Sequence, residues 1–209
     1  MRKDLTEIVV VIDRSGSMSS CRADAVGGLN TLVKEQKEVK GEAKFTLVQF
    51  DTEYEIVHNG IDIKDVPELD LVPRGGTALY DAVCKTIVTT GERLAKMAEK
   101  DRPGLVLFVV VTDGGENSSK EYKDRSKVKE MIDHQTNVYN WKFTYLGSDV
   151  SGFANDSGGY GSAVLYDNNK VFNAIDSTSK KFSRMRGMSM NNEEVSNDYS
   201  VDEIQSMTS

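Results

Sequence analysis

The chain has 209 residues, 38% of them hydrophobic and 28% charged, and a formal net charge of −7. This is enough for one domain with a substantial core, and the acidic balance indicates no nucleic-acid-binding surface. Two cysteines, Cys21 and Cys84, do not make a disulfide framework. With no signal peptide and no run approaching the roughly 18 apolar residues of a membrane span, we expect a cytoplasmic protein.

Apolar periodicity predicts strands that alternate with helices along most of the chain. The predicted elements are a strand over 7–12, a helix over 23–37, a hairpin over 44–50 and 54–58, a helix from 79 towards 100, a strand over 105–111, a helix over 122–134, strands over 141–146 and 163–166 and a helix over 171–185. A glycine-rich connection over 151–161 precedes the last strand. This order predicts a three-layer, doubly wound, Rossmann-like α/β fold, with a mostly parallel sheet and one antiparallel edge strand.

Two of the predicted strands, the first and the one over 105–111, are continuously apolar and run into an aspartate. The residues that follow these strands, or lie in a Gly-Gly-Thr turn between them, are Asp13, Ser15, Ser17, Thr77 and Asp113. Ligands of parallel sheets bind beyond the carboxyl ends of neighbouring strands, so we expect these side chains to converge. Hard oxygen ligands without sulfur or imidazole favour Mg²⁺ or Mn²⁺ over zinc. Thr77 also stands where a helix N-cap is expected.

These five residues, in this order, match the metal-ion-dependent adhesion site of von Willebrand factor A (vWA) domains. That site combines an Asp-x-Ser-x-Ser loop, a distant threonine and an aspartate in a Thr-Asp-Gly turn. Segments 73–83, 112–122 and 141–147 resemble the compact stand-alone bacterial and phage members, and the resemblance covers about 5–187. It implies the vWA fold, one bound Mg²⁺ or Mn²⁺, and a cytoplasmic location in a bacterium or a phage-infected cell. The serines would touch the metal, and the aspartates would act mostly through water.

The function that this resemblance implies is metal-dependent protein interaction without catalysis. The partner would be an unidentified protein that presents a Glu or Asp carboxylate to the metal, with no nucleic acid or membrane involved. Four residues flank the predicted site and are candidates either for partner contact at its rim or for ordinary solvated loop positions. They are Arg74, Gly76, Glu116 and Asn117.

Two other classes of function remain open from the sequence. A magnesium-dependent phosphatase or phosphotransferase of the haloacid dehalogenase type would use Asp13 as its nucleophile. That chemistry needs a second aspartate two residues later, where this chain has Ser15, and the same segment does not make the Gly-x-Ser-x-Gly elbow of a serine hydrolase. The second class is an assembly or adaptor subunit, beside an AAA+ ATPase or in a phage particle. It would perform the same interaction function as part of a larger complex.

The C-terminal segment 188–209 differs in composition from the domain predicted over 1–187. It contains five acidic residues and no basic one, with many Ser and Asn residues, which predicts a disordered tail. The alternative is that a tail carboxylate supplies the open metal position, in its own molecule or in a neighbour. The candidates for this are Glu193, Glu194, Asp198, Asp202 and Glu203.

Some single residues carry smaller expectations. The basic cluster of Lys180, Lys181, Arg184 and Arg186 has helical spacing and predicts a solvated face. Cys84 falls in an apolar helical pattern and is expected in the core, whereas Cys21 follows the metal loop and is expected to be more accessible.

Overall fold

The computed structural model describes residues 1–147, 162–166 and 170–208. Its strands are β1 (Arg2–Asp13), β2 (Glu42–Phe50), β3 (Tyr54–Asp62), β4 (Pro103–Thr112), β5 (Lys142–Gly147) and β6 (Ala163–Leu165). Its helices are α1 (Arg22–Glu38), α2 (Leu79–Ala95), α3 (Arg125–Tyr139), α4 (Val171–Met190) and α5 (Val201–Thr208). The predicted glycine-rich connection over 151–161 lies outside the described residues.

The six strands form one sheet in the order β3-β2-β1-β4-β5-β6. β1 is parallel to both of its neighbours, and the parallel pairing continues from β4 through β5 to β6. β3 is antiparallel to β2 and lies at the sheet edge. The predicted edge hairpin and the mostly parallel sheet are therefore confirmed.

Helices cover both faces of this sheet and make two separate apolar cores. On one face, Ile8, Val10 and Ile12 of β1 pack with residues of α1 and α4. On the other face, Val9 and Val11 of the same strand pack with residues of α2 and α3. A strand buried on both faces has no polar side to alternate, which explains its continuous apolar run. The three-layer architecture is confirmed.

Several element boundaries differ from the sequence prediction. β1 begins at Arg2 rather than at Glu7, and the prediction misses its first residues because all of them except Leu5 are polar. α2 ends at Ala95 rather than continuing towards residue 100. α3 is displaced towards the C-terminus, since Asp124 caps its start by accepting a hydrogen bond from Ser126 N at 2.8 Å.

The ends of β1 and β4 lie side by side at the point where the chain connections part. From β1 the chain passes through α1 to β2 on one side, whereas β4 lies on the other side. Ile12 pairs with Val111, so the next residues, Asp13 and Thr112, are neighbours. This topological switch point is where open α/β sheets bind ligands.

The C-terminal segment contacts α4. The predicted boundary between 187 and 188 falls inside α4, which continues to Met190. Arg184 Nε donates to Glu203 Oε1 at 2.9 Å, and the Tyr199 hydroxyl lies 2.7 Å from Thr178 Oγ1. Asn197 Nδ2 donates to the Phe143 carbonyl at the start of β5. These contacts join the segment to α4 and β5, and the disorder that composition predicts for 188–209 stays a prediction.

The predicted solvated face of α4 is wrong for two of its four basic residues. Lys181 is fully buried and its Nζ donates to Thr144 Oγ1 at 3.0 Å. Arg186 is buried too, and its Nη1 donates to the Gln36 carbonyl at 2.8 Å at the end of α1. The prediction is wrong because helical spacing alone does not reveal that these two side chains bind oxygen acceptors on neighbouring elements.

Both cysteines are free and buried. The core position predicted for Cys84 is confirmed. The greater access expected for Cys21 is wrong, because its side chain packs into the core cluster that includes Met18. Within the part of the chain that the structure describes, no helix is both long and apolar enough to cross a membrane.

Candidate metal centre

Asp13 ends β1 at the centre of the predicted site, with its side chain fully buried. Its Oδ1 accepts a hydrogen bond from Ser15 N at 2.6 Å, and its Oδ2 accepts one from Thr112 Oγ1 at 2.6 Å. Burial raises the pKa of Asp13 to about 6, and these hydrogen bonds oppose the rise. The carboxylate is therefore fixed in place by one donor on each oxygen.

Two serines connect the loop after β1 with the turn after β4. Ser15 Oγ lies 3.0 Å from Ser17 Oγ, and Ser17 Oγ donates to Asp113 Oδ1 at 2.7 Å. Ser15 is buried, whereas Ser17 is exposed. Burial raises the pKa of Asp113, against the hydrogen bond from Ser17. The two loops thus place hydroxyl and carboxylate oxygens beside one another.

Thr77 lines the same space from a third loop. A Cβ placed on Gly114 would lie 3.7 Å from Thr77 Oγ1 and 3.8 Å from Ser17 Oγ, so both hydroxyls border the gap that this glycine leaves open. The Thr77 backbone is held by Asn117, whose Oδ1 accepts from Thr77 N at 2.9 Å. The predicted N-cap role of Thr77 is wrong, because Ala78 is the N-cap residue of α2.

The structure thus brings together all five residues that the sequence predicts for the site. They offer three neutral hydroxyls and two carboxylates, of which the Thr77 and Ser17 hydroxyls border the gap at Gly114. This hard-oxygen set fits Mg²⁺ or Mn²⁺. In the ranges 1–147, 162–166 and 170–208, no group of three or more His, Cys, Asp and Glu side chains is arranged to hold a metal ion. A metal here would therefore depend on the hydroxyl ligands.

The residues predicted for the rim have specific contacts of their own. The Glu116 carboxylate accepts hydrogen bonds from Tyr80 N at 2.8 Å and from Ser119 N at 2.7 Å, so it holds its loop against the start of α2. A Cβ on Gly76 would collide with Ser118 Oγ, which accounts for a glycine there. These contacts explain loop structure, and a role in partner contact stays a prediction.

Arg74 is the predicted rim residue with a long, half-exposed side chain. Its Nε donates to Asp51 Oδ2 at 2.8 Å, and its Nη2 donates to Glu53 Oε2 at 2.8 Å. The guanidinium is therefore paired with carboxylates of the β2–β3 turn, and its partner-facing role is also a prediction.

Sequence reasoning missed two residues that act next to the site. Thr112 orients Asp13, and its only sequence signal is its place before Asp113 in the Thr-Asp-Gly turn. Asp51 follows β2 with 1% of its side chain exposed. Burial alone would raise the pKa of Asp51, but hydrogen bonds from Arg74, Glu53 N and Arg14 hold it below its usual value. No motif marks Asp51, because its arginine partners are distant in sequence.

Among the tail carboxylates, Glu203 is paired with a basic residue, since Arg184 binds it through two nitrogens. Near the end of α4, Ser189 Oγ donates to the Lys3 carbonyl, at the opposite end of β1 from Asp13. Ten residues of strand separate those two ends, which is about 33 Å. In the described structure, the Glu203 carboxylate thus binds Arg184 of α4 rather than the residues of the candidate metal centre.

The sequence matches no protein-family model and no curated protein. Several solved structures resemble this one. A von Willebrand factor type A protein from Catenulispora acidiphila has a TM-score of 0.59 at 15% identity, covering 88% of this chain and 42% of that one. The ArnB paralog VWA2 from Sulfolobus acidocaldarius has 0.53 at 17% identity, covering 82% and 44%. This chain spans less than half of the length of these two proteins.

A third similar structure is manganese-loaded TRAP from Plasmodium vivax, with a TM-score of 0.53 at 13% identity, covering 84% of this chain and 75% of that one. At such identities the likeness shows the fold alone. The strand order, the helices on both faces and the superpositions agree. The chain therefore has the von Willebrand factor A fold.

Proposed function

We propose that the chain is a protein-interaction module whose partner binding depends on one Mg²⁺ or Mn²⁺ at the candidate metal centre. The partner is a protein that presents a Glu or Asp carboxylate. The observation that carries the proposal is that the Thr77 and Ser17 hydroxyls border the gap at Gly114, where three loops meet, while Ser17 also binds the Asp113 carboxylate. When bound, the cation supplies an exchangeable position for an anionic oxygen.

The proposed role of each residue, as a direct ligand or as a group that orients the ligands, follows from its charge and its hydrogen bonds. Ser15, Ser17 and Thr77 are the direct ligands, and their neutral oxygens leave the site with a net attraction for an anion. Asp13 and Asp113 orient the hydroxyls and bound waters. This division is supported by Asp13, because both of its oxygens already accept hydrogen bonds from protein donors. The manganese-loaded state of TRAP, a protein of the same fold, supports the choice of ion.

The same contacts favour a non-enzymatic role. A phosphatase nucleophile must reach the substrate, whereas Asp13 is fully buried. Ser15, which occupies the position of the required acid/base, is a buried hydroxyl beside Ser17. We therefore propose that the chain has no catalytic activity of its own. A role as an assembly or adaptor subunit would be the same interaction function within a larger complex. The cytoplasm remains the proposed location.

The proposal is tested with a short peptide that carries one central Glu, and with the same peptide carrying Gln. Binding to the intact chain is measured by fluorescence anisotropy in Mg²⁺ and in EDTA. We expect binding of the Glu peptide in Mg²⁺, with loss of binding in EDTA or on the change to Gln. Equal binding in Mg²⁺ and EDTA would contradict the proposal. A magnesium-dependent phosphatase rate that Asp13→Asn abolishes would favour the enzymatic alternative.

A further inference from the structure

Asp51 accepts hydrogen bonds from two arginines that belong to different loops of the candidate metal centre. Its Oδ2 accepts from Arg14 Nε at 2.9 Å and from Arg74 Nε at 2.8 Å, while its Oδ1 accepts from Glu53 N at 2.6 Å. We name Asp51, Arg14 and Arg74 the arginine clasp. One buried carboxylate thus binds two cations, and charge-assisted hydrogen bonds of this kind are among the strong ones.

The two arginines of the clasp are close in sequence to proposed metal ligands. Arg14 directly precedes Ser15, and Arg74 lies three residues before Thr77. Their loops also touch through the backbone, since Arg74 N donates to the Arg14 carbonyl at 2.8 Å. The clasp therefore joins the loop that carries the serines to the loop that carries the threonine.

Backbone contacts hold Thr77 on both sides. Before it, Gly75 has a φ of +66°, and its carbonyl accepts from Gly16 N at 3.1 Å. After it, Ala78 N donates to the Asp51 carbonyl at 2.9 Å. A Cβ on Gly75 would lie 3.1 Å from Thr52 Oγ1, so this loop packs tightly on the turn after β2. The position of Thr77 thus depends on the turn that contains Asp51.

Burial makes the clasp sensitive to its charges. The side chain of Arg14 is 7% exposed and that of Asp51 is 1% exposed. Removal of the Asp51 charge would leave the half-exposed Glu55 as the counter-charge of the buried Arg14 guanidinium, and the loss of the buried one is costly in a low-dielectric environment. We expect the loops that carry Arg14 and Arg74 to move in order to lower this cost.

We infer that Asp51 is a positioning residue of the candidate metal centre, which acts through Arg14 and Arg74. The clasp fixes Thr77 against Ser15 and Ser17 before the metal binds, so that ligation requires little loop ordering. The inference rests on the proposed function for its metal readout, whereas the loop fixation itself is a property of the metal-free chain.

The first test is Mn²⁺ titration of Asp51→Asn by calorimetry, with Glu7→Gln as the matched control. Glu7 is also 1% exposed and paired with an arginine, Arg93, but it lies six residues before Asp13 on β1. We expect Asp51→Asn to lose roughly 10- to 100-fold in Mn²⁺ affinity. Glu7→Gln should lower the stability and leave the affinity unchanged. Equal losses of affinity in the two variants would overturn the inference.

A second variant and a double mutant separate positioning from general destabilisation. Arg74→Gln removes one of the two arginines of the clasp. Because Arg74 is half-exposed, this variant should fold, and it should bind Mn²⁺ more weakly than the wild type. In a Thr77→Ala background, Asp51→Asn should cost little further affinity, because the ligand that it positions is already absent. Full additivity of the two substitutions would overturn the role through Thr77.

The third test needs no metal. Amide hydrogen exchange in the metal-free chain should be faster at Gly16 and Ala78 in Asp51→Asn than in the wild type or in Glu7→Gln. Unchanged protection at both amides would overturn the inference, whatever the metal titration shows. If the wild type binds no Mn²⁺, the proposed function fails, and the exchange data still decide whether the clasp fixes the loops.

Discussion

Thr112 Oγ1 donates a hydrogen bond to Asp13 Oδ2 at 2.6 Å, which joins the last residue of β4 to the last residue of β1. Because the two strands are adjacent and parallel, this contact lies at the base of the candidate metal centre, at the switch point of the sheet. The loops above it carry the hydroxyl oxygens. The site thus combines a rigid base, made by strands, with ligands that loop contacts must hold in place.

The first prediction concerns this contact. Thr112→Val keeps the shape of the side chain but leaves one oxygen of the buried Asp13 without its donor. We expect a loss of stability of about 1–3 kcal/mol and weaker Mn²⁺ binding. Denaturant unfolding and Mn²⁺ titration measure the two effects. Thr86→Val is the control, because Thr86 is equally buried but donates within α2, to the Ala82 carbonyl. Equal Mn²⁺ affinity in both variants would contradict the prediction.

The second prediction concerns the gap at Gly114. In Gly114→Ala the new methyl group would lie in ordinary contact with the Thr77 and Ser17 hydroxyls and would take the space proposed for the ion or its water. We expect a loss of roughly tenfold or more in Mn²⁺ affinity, or about 1.4 kcal/mol, with little change in stability. At the neighbouring Gly115 a Cβ would meet nothing within 4 Å, so Gly115→Ala is a matched control. Retained affinity in Gly114→Ala would place the ion elsewhere.

The third prediction is a dependence of stability on pH that arises from Lys181. Burial lowers the pKa of Lys181 from 10.5 to about 7, although the charge of Glu203 opposes the shift. Between about pH 7 and 10.5 the unfolded chain therefore binds more protons at this lysine, so its contribution makes the fold more stable as the pH rises. The slope from this one group is at most about 1.4 kcal/mol per pH unit.

Urea unfolding at several pH values compares the wild type with Lys181→Met. Groups that face Lys181 include Thr144 on β5, Arg184 on α4 and Glu203 in the C-terminal segment, and Lys181 Nζ lies 4.2 Å from the ring centroid of Tyr199. Each of these stays in the variant. We expect the variant to lose the rise in stability above pH 7, and an unchanged pH profile would refute the assignment to Lys181.

The fourth prediction concerns the C-terminal segment. Truncation after Asn192 keeps α4 whole but removes Tyr199 and Glu203, which bind α4. We expect a fold that persists with a stability lower by about 2 kcal/mol, the order of one large buried side chain. Because Glu203 pairs with Arg184, Mg²⁺ affinity should not change. Stronger binding of the Glu peptide after truncation would instead support a tail carboxylate as an occupant of the metal position.

The parts of the fold that follow from local pattern are predictable from the sequence. The continuous apolar run before Asp13 reflects burial on both faces of β1, and the same pattern identifies β4 before Asp113. Parallel pairing then brings the two aspartates together without further information. The five candidate site residues are found for this reason, because each lies next to a strand end or in a glycine turn.

The remaining features depend on contacts between distant residues. Asp51 looks like an ordinary turn residue, since Arg14 and Arg74 are 37 and 23 positions away from it. Lys181 looks solvated until Thr144 and Tyr199 are seen beside it. In both cases the residue type argues for exposure, and tertiary hydrogen bonds reverse the outcome.

The most direct test of the proposed metal site is calorimetric titration of the chain with Mg²⁺ and with Mn²⁺, using Ser17→Ala, Asp113→Ala and Ser19→Ala. Ser19 belongs to the same loop and is exposed like Ser17, but its hydroxyl donates to the Gly16 carbonyl rather than to Asp113. The account predicts one ion per wild-type chain, strong loss of binding in Ser17→Ala and Asp113→Ala, and unchanged binding in Ser19→Ala. Equal affinity in Ser17→Ala, Asp113→Ala and Ser19→Ala, all folded, would contradict it.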